Sequence, residues 1–127
     1  MITGVSKVVV DVEDQDRAKA FWTGPMGFEL VQDTPYDEHG IRWLEVRSPD
    51  GRMILVLSPR QEPARTAPDM LPTSNVFFAC EDLEATHEEL AARGVEFTQA
   101  PVKMDFGWWS IFRDSEGTRF ALVPAGQ

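Results

Sequence analysis

The order of side chains in the first half of this 127-residue chain recurs in its second half. Val12-Glu13-Asp14 is echoed by Cys80-Glu81-Asp82, 68 residues further on, and each echo follows an apolar run and precedes a helical pattern. Trp43, Arg47, Asp50-Gly51 and Leu55 correspond to Trp109, Arg113, Glu116-Gly117 and Ala121 at an offset of 66, as a loop shortened by two residues would produce. Ordered recurrence of strand, cap, helix, turn and strand restricts the chain to two copies of one supersecondary unit.

Each copy reads as β-α-β-β-β. Val5 to Val12 is β-branched and apolar enough for a buried strand, and Asp14 can cap the following helix by accepting from its free N–H groups. Ala18, Phe21, Trp22 and Pro25 recur at helical spacing, so one helix face, Trp22 included, packs inward until Gly24-Pro25 ends it. Strands follow at Phe28 to Gln32, Ile41 to Arg47 and Met53 to Ser58, the last two joined by the turn Ser48-Pro49-Asp50-Gly51. The second copy has strands at Asn75 to Cys80, Val95 to Gln99, Trp108 to Arg113 and Arg119 to Pro124. Asp82 caps its helix, and Gly94 sits where a left-handed C-terminal residue belongs. The repeats span about 5–58 and 74–125. Between them Pro59 to Pro72 holds four of the nine prolines and is expected to be extended and semi-rigid. A module of about sixty residues buries a poor core alone, so the expectation is one domain over 1–127 in which both modules share a core.

Composition narrows the function. The net charge is −9, so the chain as a whole repels polyanions and nucleic acid is not an expected partner. A cationic or neutral small molecule suits that balance better. Cys80 is the only cysteine, which excludes an intrachain disulfide, and its setting reads as an inert strand end. No leader pattern opens the chain and no run reaches the length of a membrane span, so a cytoplasmic location is expected, with no membrane partner.

The paired modules, the Val-x-Asp of Val12-Glu13-Asp14 before a helix ending in Phe21-Trp22, the Gly27-Phe28 that follows, the run from Asp82-Leu83 to Glu96-Phe97, and Phe112-Arg113-Asp114-Ser115-Glu116-Gly117 together resemble the vicinal oxygen chelate superfamily. It includes glyoxalase, bleomycin-resistance protein and the extradiol dioxygenases. The resemblance implies an α+β fold in which two tandem βαβββ modules form an open half-barrel sheet around a central cavity, and it implies a homodimer. Enzymes of the superfamily hold a divalent metal with His or Gln on the first strand and Glu on the last strand of each module. By motif, the four positions here are Lys7, Leu55, Asn75 and Ala121. Leucine and alanine have no donor atom, asparagine is a weak carbonyl ligand, and lysine brings a positive charge, so neither a metal nor another cofactor is expected. His39, in a polar loop, and His87, beside the apolar face of the second helix, do not replace the missing set.

Strand alternation from these positions selects the inward face: Lys7 with Val9 and Asp11, Asn75 with Phe77 and Ala79, Leu55 with Met53 and Leu57, Ala121 with Arg119 and Val123. Apolar walls with sparse polar heads suit a small-molecule pocket. Trp43 in the first module, with Tyr36 beside it, and Phe106, Trp108 and Trp109 in the second are candidate stacking groups. Of the two adjacent tryptophans only one can face the core. Lys7 can pair with Asp11 or Glu45, or hold an anionic ligand group. The leading expectation is a metal-independent protein that binds a small organic molecule, cationic or aromatic, for sequestration or resistance as in bleomycin-resistance protein. The alternatives are a lyase, isomerase or dioxygenase-like enzyme with a displaced metal site or with acid–base groups drawn from Asp11, Glu45 and Asp105, and a purely structural or protein-binding module.

Overall fold

A computed structural model describes residues 1–127. The chain forms two compact units, Met1–Pro63 and Ala64–Gln127. The first contains β1 (Lys7–Val12), α1 (Gln15–Thr23), β2 (Glu29–Pro35), β3 (Arg42–Arg47) and β4 (Ile54–Pro59). The second contains β5 (Phe77–Cys80), α2 (Leu83–Ala92), β6 (Phe97–Met104), β7 (Gly107–Arg113) and β8 (Arg119–Pro124). The architecture is α+β, with two tandem βαβββ modules and two open four-stranded sheets ordered β1-β4-β3-β2 and β5-β8-β7-β6. In each, the first strand runs parallel to the last and the other pairs are antiparallel.

Both helices begin as their sequences dictate. Asp14 and Asp82 hold extended backbone, and their carboxylates accept from the N–H groups of Arg17 and Ala85, each at 3.0 Å. Gly24 closes α1 where a Cβ would come within 2.6 Å of the Ala20 carbonyl oxygen, and Gly94 after α2 has φ +94°. Trp22 is fully buried, set edge-on to Phe21 and Phe28 with ring centroids at 5.3 and 5.1 Å. Beneath α1 the sheet contributes Val10, Val12, Leu44, Val46, Leu55 and Leu57, all buried. In the second unit Leu83 and Leu90 of α2 are buried with Phe78, Phe112, Phe120 and Leu122, and His87 lies edge-on to Phe97 at 4.6 Å.

The register corrects one expected site position. The turn between β3 and β4 closes with the Ser48 N–H donating to the Met53 carbonyl at 2.8 Å, whereas the turn between β7 and β8 closes from Asp114 to Thr118 at 3.0 Å. The first turn is one residue longer, so the offset of 66 along β3 and β7 becomes 65 along β4 and β8. Arg47 pairs with Ile54, and Arg113 with Arg119. Paired residues share a face. Lys7 and Val9 therefore share theirs with Ile54 and Val56, while Leu55 pairs with Val8 on the helix side. Leu55 and Leu57 belong to the core under α1, and Val56 takes the place beside Lys7 and Val9.

Several strand bounds also differ from expectation: β1 begins at Lys7 and β5 at Phe77, each two residues late, which leaves Asn75 ahead of its strand. β2 reaches Pro35, and β6 runs on to Met104 through Pro101, which cannot donate to the ladder. Register shifts on either side of Gln99 absorb the interruption. The proline-rich connector is fixed by more than its prolines. The buried Arg119 guanidinium donates from Nε to the Leu71 carbonyl at 2.9 Å, and from one terminal nitrogen to the carbonyls of Ala67 and Pro68 at 2.8 and 3.0 Å. No helix is long and apolar enough to cross a membrane.

Candidate functional site

Each sheet has one face under its helix and one open face. The open face of the first sheet carries Lys7, Val9 and Asp11 from β1, Val56 from β4, Trp43 and Glu45 from β3, and Gln32 and Thr34 from β2. Glu45 lies at its centre and is 2% exposed. Its Oε2 accepts from Lys7 Nζ at 2.5 Å and from Trp43 Nε1 at 2.7 Å, and Gln32 supplies a further side-chain hydrogen bond. Burial pushes the Glu45 carboxyl up, but the hydrogen bonds from Lys7, Trp43 and Gln32 outweigh it and hold the group below its ordinary value. An ionised carboxylate so fully supplied with donors is poorly placed to accept a proton in general-base catalysis.

Trp43 keeps 37% of its surface exposed, and Tyr36 stacks on it at 6.2 Å with an interplanar angle of 28°. Tyr36 is positioned by the β2–β3 hairpin, where its N–H donates to the Ile41 carbonyl at 2.8 Å. Asp11 is exposed at the far end of β1. Thus Lys7 and Trp43, two of the residues singled out from the sequence, meet on one carboxylate. Asp11 shares their face, and Leu55 does not. That carboxylate is Glu45, one of the two partners the sequence offers Lys7; Tyr36 stands beside Trp43 as the sequence suggests, and Gln32, which the sequence does not single out, completes the cluster.

The open face of the second sheet is apolar. Trp109 is 6% exposed and packs with Ile111 and Ala121, flanked by Val102 and Val123. Phe106 meets Trp109 edge-on at 4.8 Å, and Phe77 is tilted against it at 6.4 Å. Both phenylalanines are largely exposed. Trp109, Phe77, Phe106 and Ala121 are therefore brought together. Asn75 precedes β5, and its side-chain oxygen accepts from the Arg65 guanidinium. Trp108 points the other way. It is 44% exposed and borders a separate groove of about 290 Å³ beside the start of α2, with Glu81, Glu84, Pro101 and Pro124.

The metal implied by the resemblance does not fit these residues. With the register corrected, the four positions hold Lys7, Val56, Asn75 and Ala121. The lysine is paired with Glu45, the asparagine with Arg65, and the other two have no donor atom. Neither unit brings three His, Cys, Asp or Glu side chains together.

Residues 4–122 match the sequence profile of the Glyoxalase/Bleomycin resistance protein/Dioxygenase superfamily. The uncharacterized protein YetH of Bacillus subtilis (strain 168) is 35% identical over 122 residues, covering 96% of this chain and 98% of that protein. Among solved structures, UcmS2 is 34% identical with a TM-score of 0.75, covering 96% of this chain and 98% of its own. TnmS3, an antibiotic binding protein from Streptomyces sp. CB03234, is 31% identical with a TM-score of 0.76, covering 97% of this chain and 96% of its own. The profile match along almost the whole chain, the paired modules and the shared fold place the chain in the Glyoxalase/Bleomycin resistance protein/Dioxygenase superfamily.

Proposed function

We propose that this chain is a metal-independent binding protein for a small organic molecule of aromatic, antibiotic-like character, and that it acts by sequestration. In this reading the two units work as one domain, and two copies form a homodimer in the cytoplasm. The observation that carries it is the donor set. Lys7, Val56, Asn75 and Ala121 occupy the places where a catalytic member would present imidazole and carboxylate, and Lewis-acid chemistry needs such ligands with a position left open. The exposed aromatic groups Tyr36, Trp43, Phe77 and Phe106 supply flat apolar surface of the kind that ligand sites use. Similarity to an antibiotic binding protein supports the ligand class. The donor-saturated Glu45 weighs against acid–base catalysis on the first sheet.

Elemental analysis of protein purified without chelator tests the central claim. Less than about 0.1 equivalent of nickel, zinc, iron or manganese per chain is expected, and close to one tightly held equivalent would overturn it. Sedimentation velocity checks the dimer.

A further inference from the structure

We propose that Lys7, Glu45 and Trp43 form a preorganised recognition site for the oxygen-bearing edge of a planar aromatic molecule, with Glu45 as the positioning residue. The inference rests on the reading that the chain binds a small organic molecule, and names the chemistry of that molecule where it meets the first sheet.

Glu45 is too deeply buried to meet a ligand, but it fixes two groups that are within reach. The Lys7 side chain keeps 37% of its surface exposed, and its ammonium has two N–H groups besides the one given to Glu45. Trp43 donates its indole N–H to the same Oε2, so ammonium and indole are close neighbours and the ring is anchored in one orientation. Tyr36, stacked on that ring, extends it into a platform. A lysine and a tryptophan already held in place lose little freedom when a ligand arrives, which raises affinity without new contacts.

The Lys7 ammonium and the Glu45 carboxylate sum to no net charge, but the carboxylate is buried and the ammonium is the exposed member of the pair. A ring lying on the platform would present its edge substituent to an ammonium, so a carbonyl, phenolate or carboxylate oxygen is matched and a cationic substituent is opposed. The other charged groups on this face lie to either side. Arg47 follows Glu45 by two positions on β3 and is paired with Glu29 of β2 at 3.8 Å, and Asp11 stands four residues beyond Lys7 on β1, roughly 13 Å away along the strand. None of these groups lies beside Trp43.

Three naphthalene probes of one shape test this: 2-naphthoate, 2-naphthylmethanol and 2-naphthylmethylammonium, titrated calorimetrically into the full chain at pH 7. Naphthoate is expected to bind at least tenfold more tightly than the ammonium probe. Lys7→Met should bring that ratio close to one, and Trp43→Ala should weaken all three. Glu45→Gln should reduce naphthoate binding several-fold and shift the Trp43 indole N–H resonance, a signal that general loosening elsewhere would not move. Thermal unfolding of each variant checks folding, and Lys7→Gln serves if Lys7→Met does not fold. If the anionic and cationic probes bind equally, or if the lysine variants keep the preference, this inference is wrong and the small-molecule reading stands. If no probe binds, both are wrong.

Discussion

Glu45 stands between Leu44 and Val46, and burying a carboxylate in such a strand is costly unless donors replace the lost water. Lys7, Trp43 and Gln32 supply them from three strands, so one side chain ties β1, β2 and β3 together on the open face. Replacing it with alanine strands the indole N–H and leaves the lysine to be resolvated. We expect Glu45→Ala to cost about 1–3 kcal/mol in urea unfolding at pH 7. The pH dependence has a definite sign. Because the folded-state value lies below the ordinary one, near 4.3 for glutamate, the carboxylate's contribution is complete above that pH. It disappears as pH falls through the lowered value, so wild type and Glu45→Gln should converge in stability there. A gap that stays constant from pH 7 down to pH 3 would contradict this account. Sequence alone admitted Lys7 pairing with either Asp11 or Glu45. It could not choose, because the choice depends on which β3 side chain the turn brings opposite.

The elements themselves were largely legible. Apolar β-branched runs, the caps Asp14 and Asp82, and the left-handed Gly94 each act within a few residues, and local chemistry of that kind can be read along the chain. Register depends on turn length, and the two turns differ by one residue although both contain the same acidic-Gly pair. A slip of one residue exchanges the two faces of a strand, which is why Leu55 was expected beside Lys7 and Val56 is found there. Two matched substitutions check the faces. Val46→Thr places a hydroxyl under α1 with no acceptor designed for it, and should cost about 1–3 kcal/mol. Val56→Thr places the same hydroxyl opposite the Glu45 carboxylate, and should cost less than about 1 kcal/mol. Equal costs, or the reverse order, measured by chemical denaturation would mean that the faces are assigned the wrong way round.

Across the whole molecule the acidic charge is spread evenly, while the ion-paired carboxylate network around Asp33 and Glu45 belongs to the first unit. The first unit has seven Lys and Arg against eleven Asp and Glu, the second five against ten, giving −4 and −5. Acidification therefore relieves like-charge repulsion to a similar degree in both. Three carboxyls held below their ordinary values lie in the first unit. Asp33 is held by hydrogen bonds from Arg42 and Lys19, Glu45 by its donors against the upward push of burial, and Asp50 by the Ser48 hydroxyl and the Arg52 N–H. Each stabilises the folded unit above the ordinary carboxylate range, about 3.9 for aspartate and 4.3 for glutamate, and stops doing so as pH falls through its lowered value. Hydrogen exchange read strand by strand while the pH is lowered from 5 to 2.5 should therefore show β1 to β4 losing protection at a higher pH than β5 to β8. The second unit has one buried carboxylate, Asp114, whose Oδ1 accepts from the N–H groups of Glu116 and Thr118 in the β7–β8 turn, and otherwise rests on apolar packing around Trp109 and the phenylalanine cluster under α2, whose strength protonation of carboxyl groups does not change directly. Simultaneous loss of protection in both units, or earlier loss in β5 to β8, would show that the ionic network around Asp33 and Glu45 is not what limits the acid stability of the first unit.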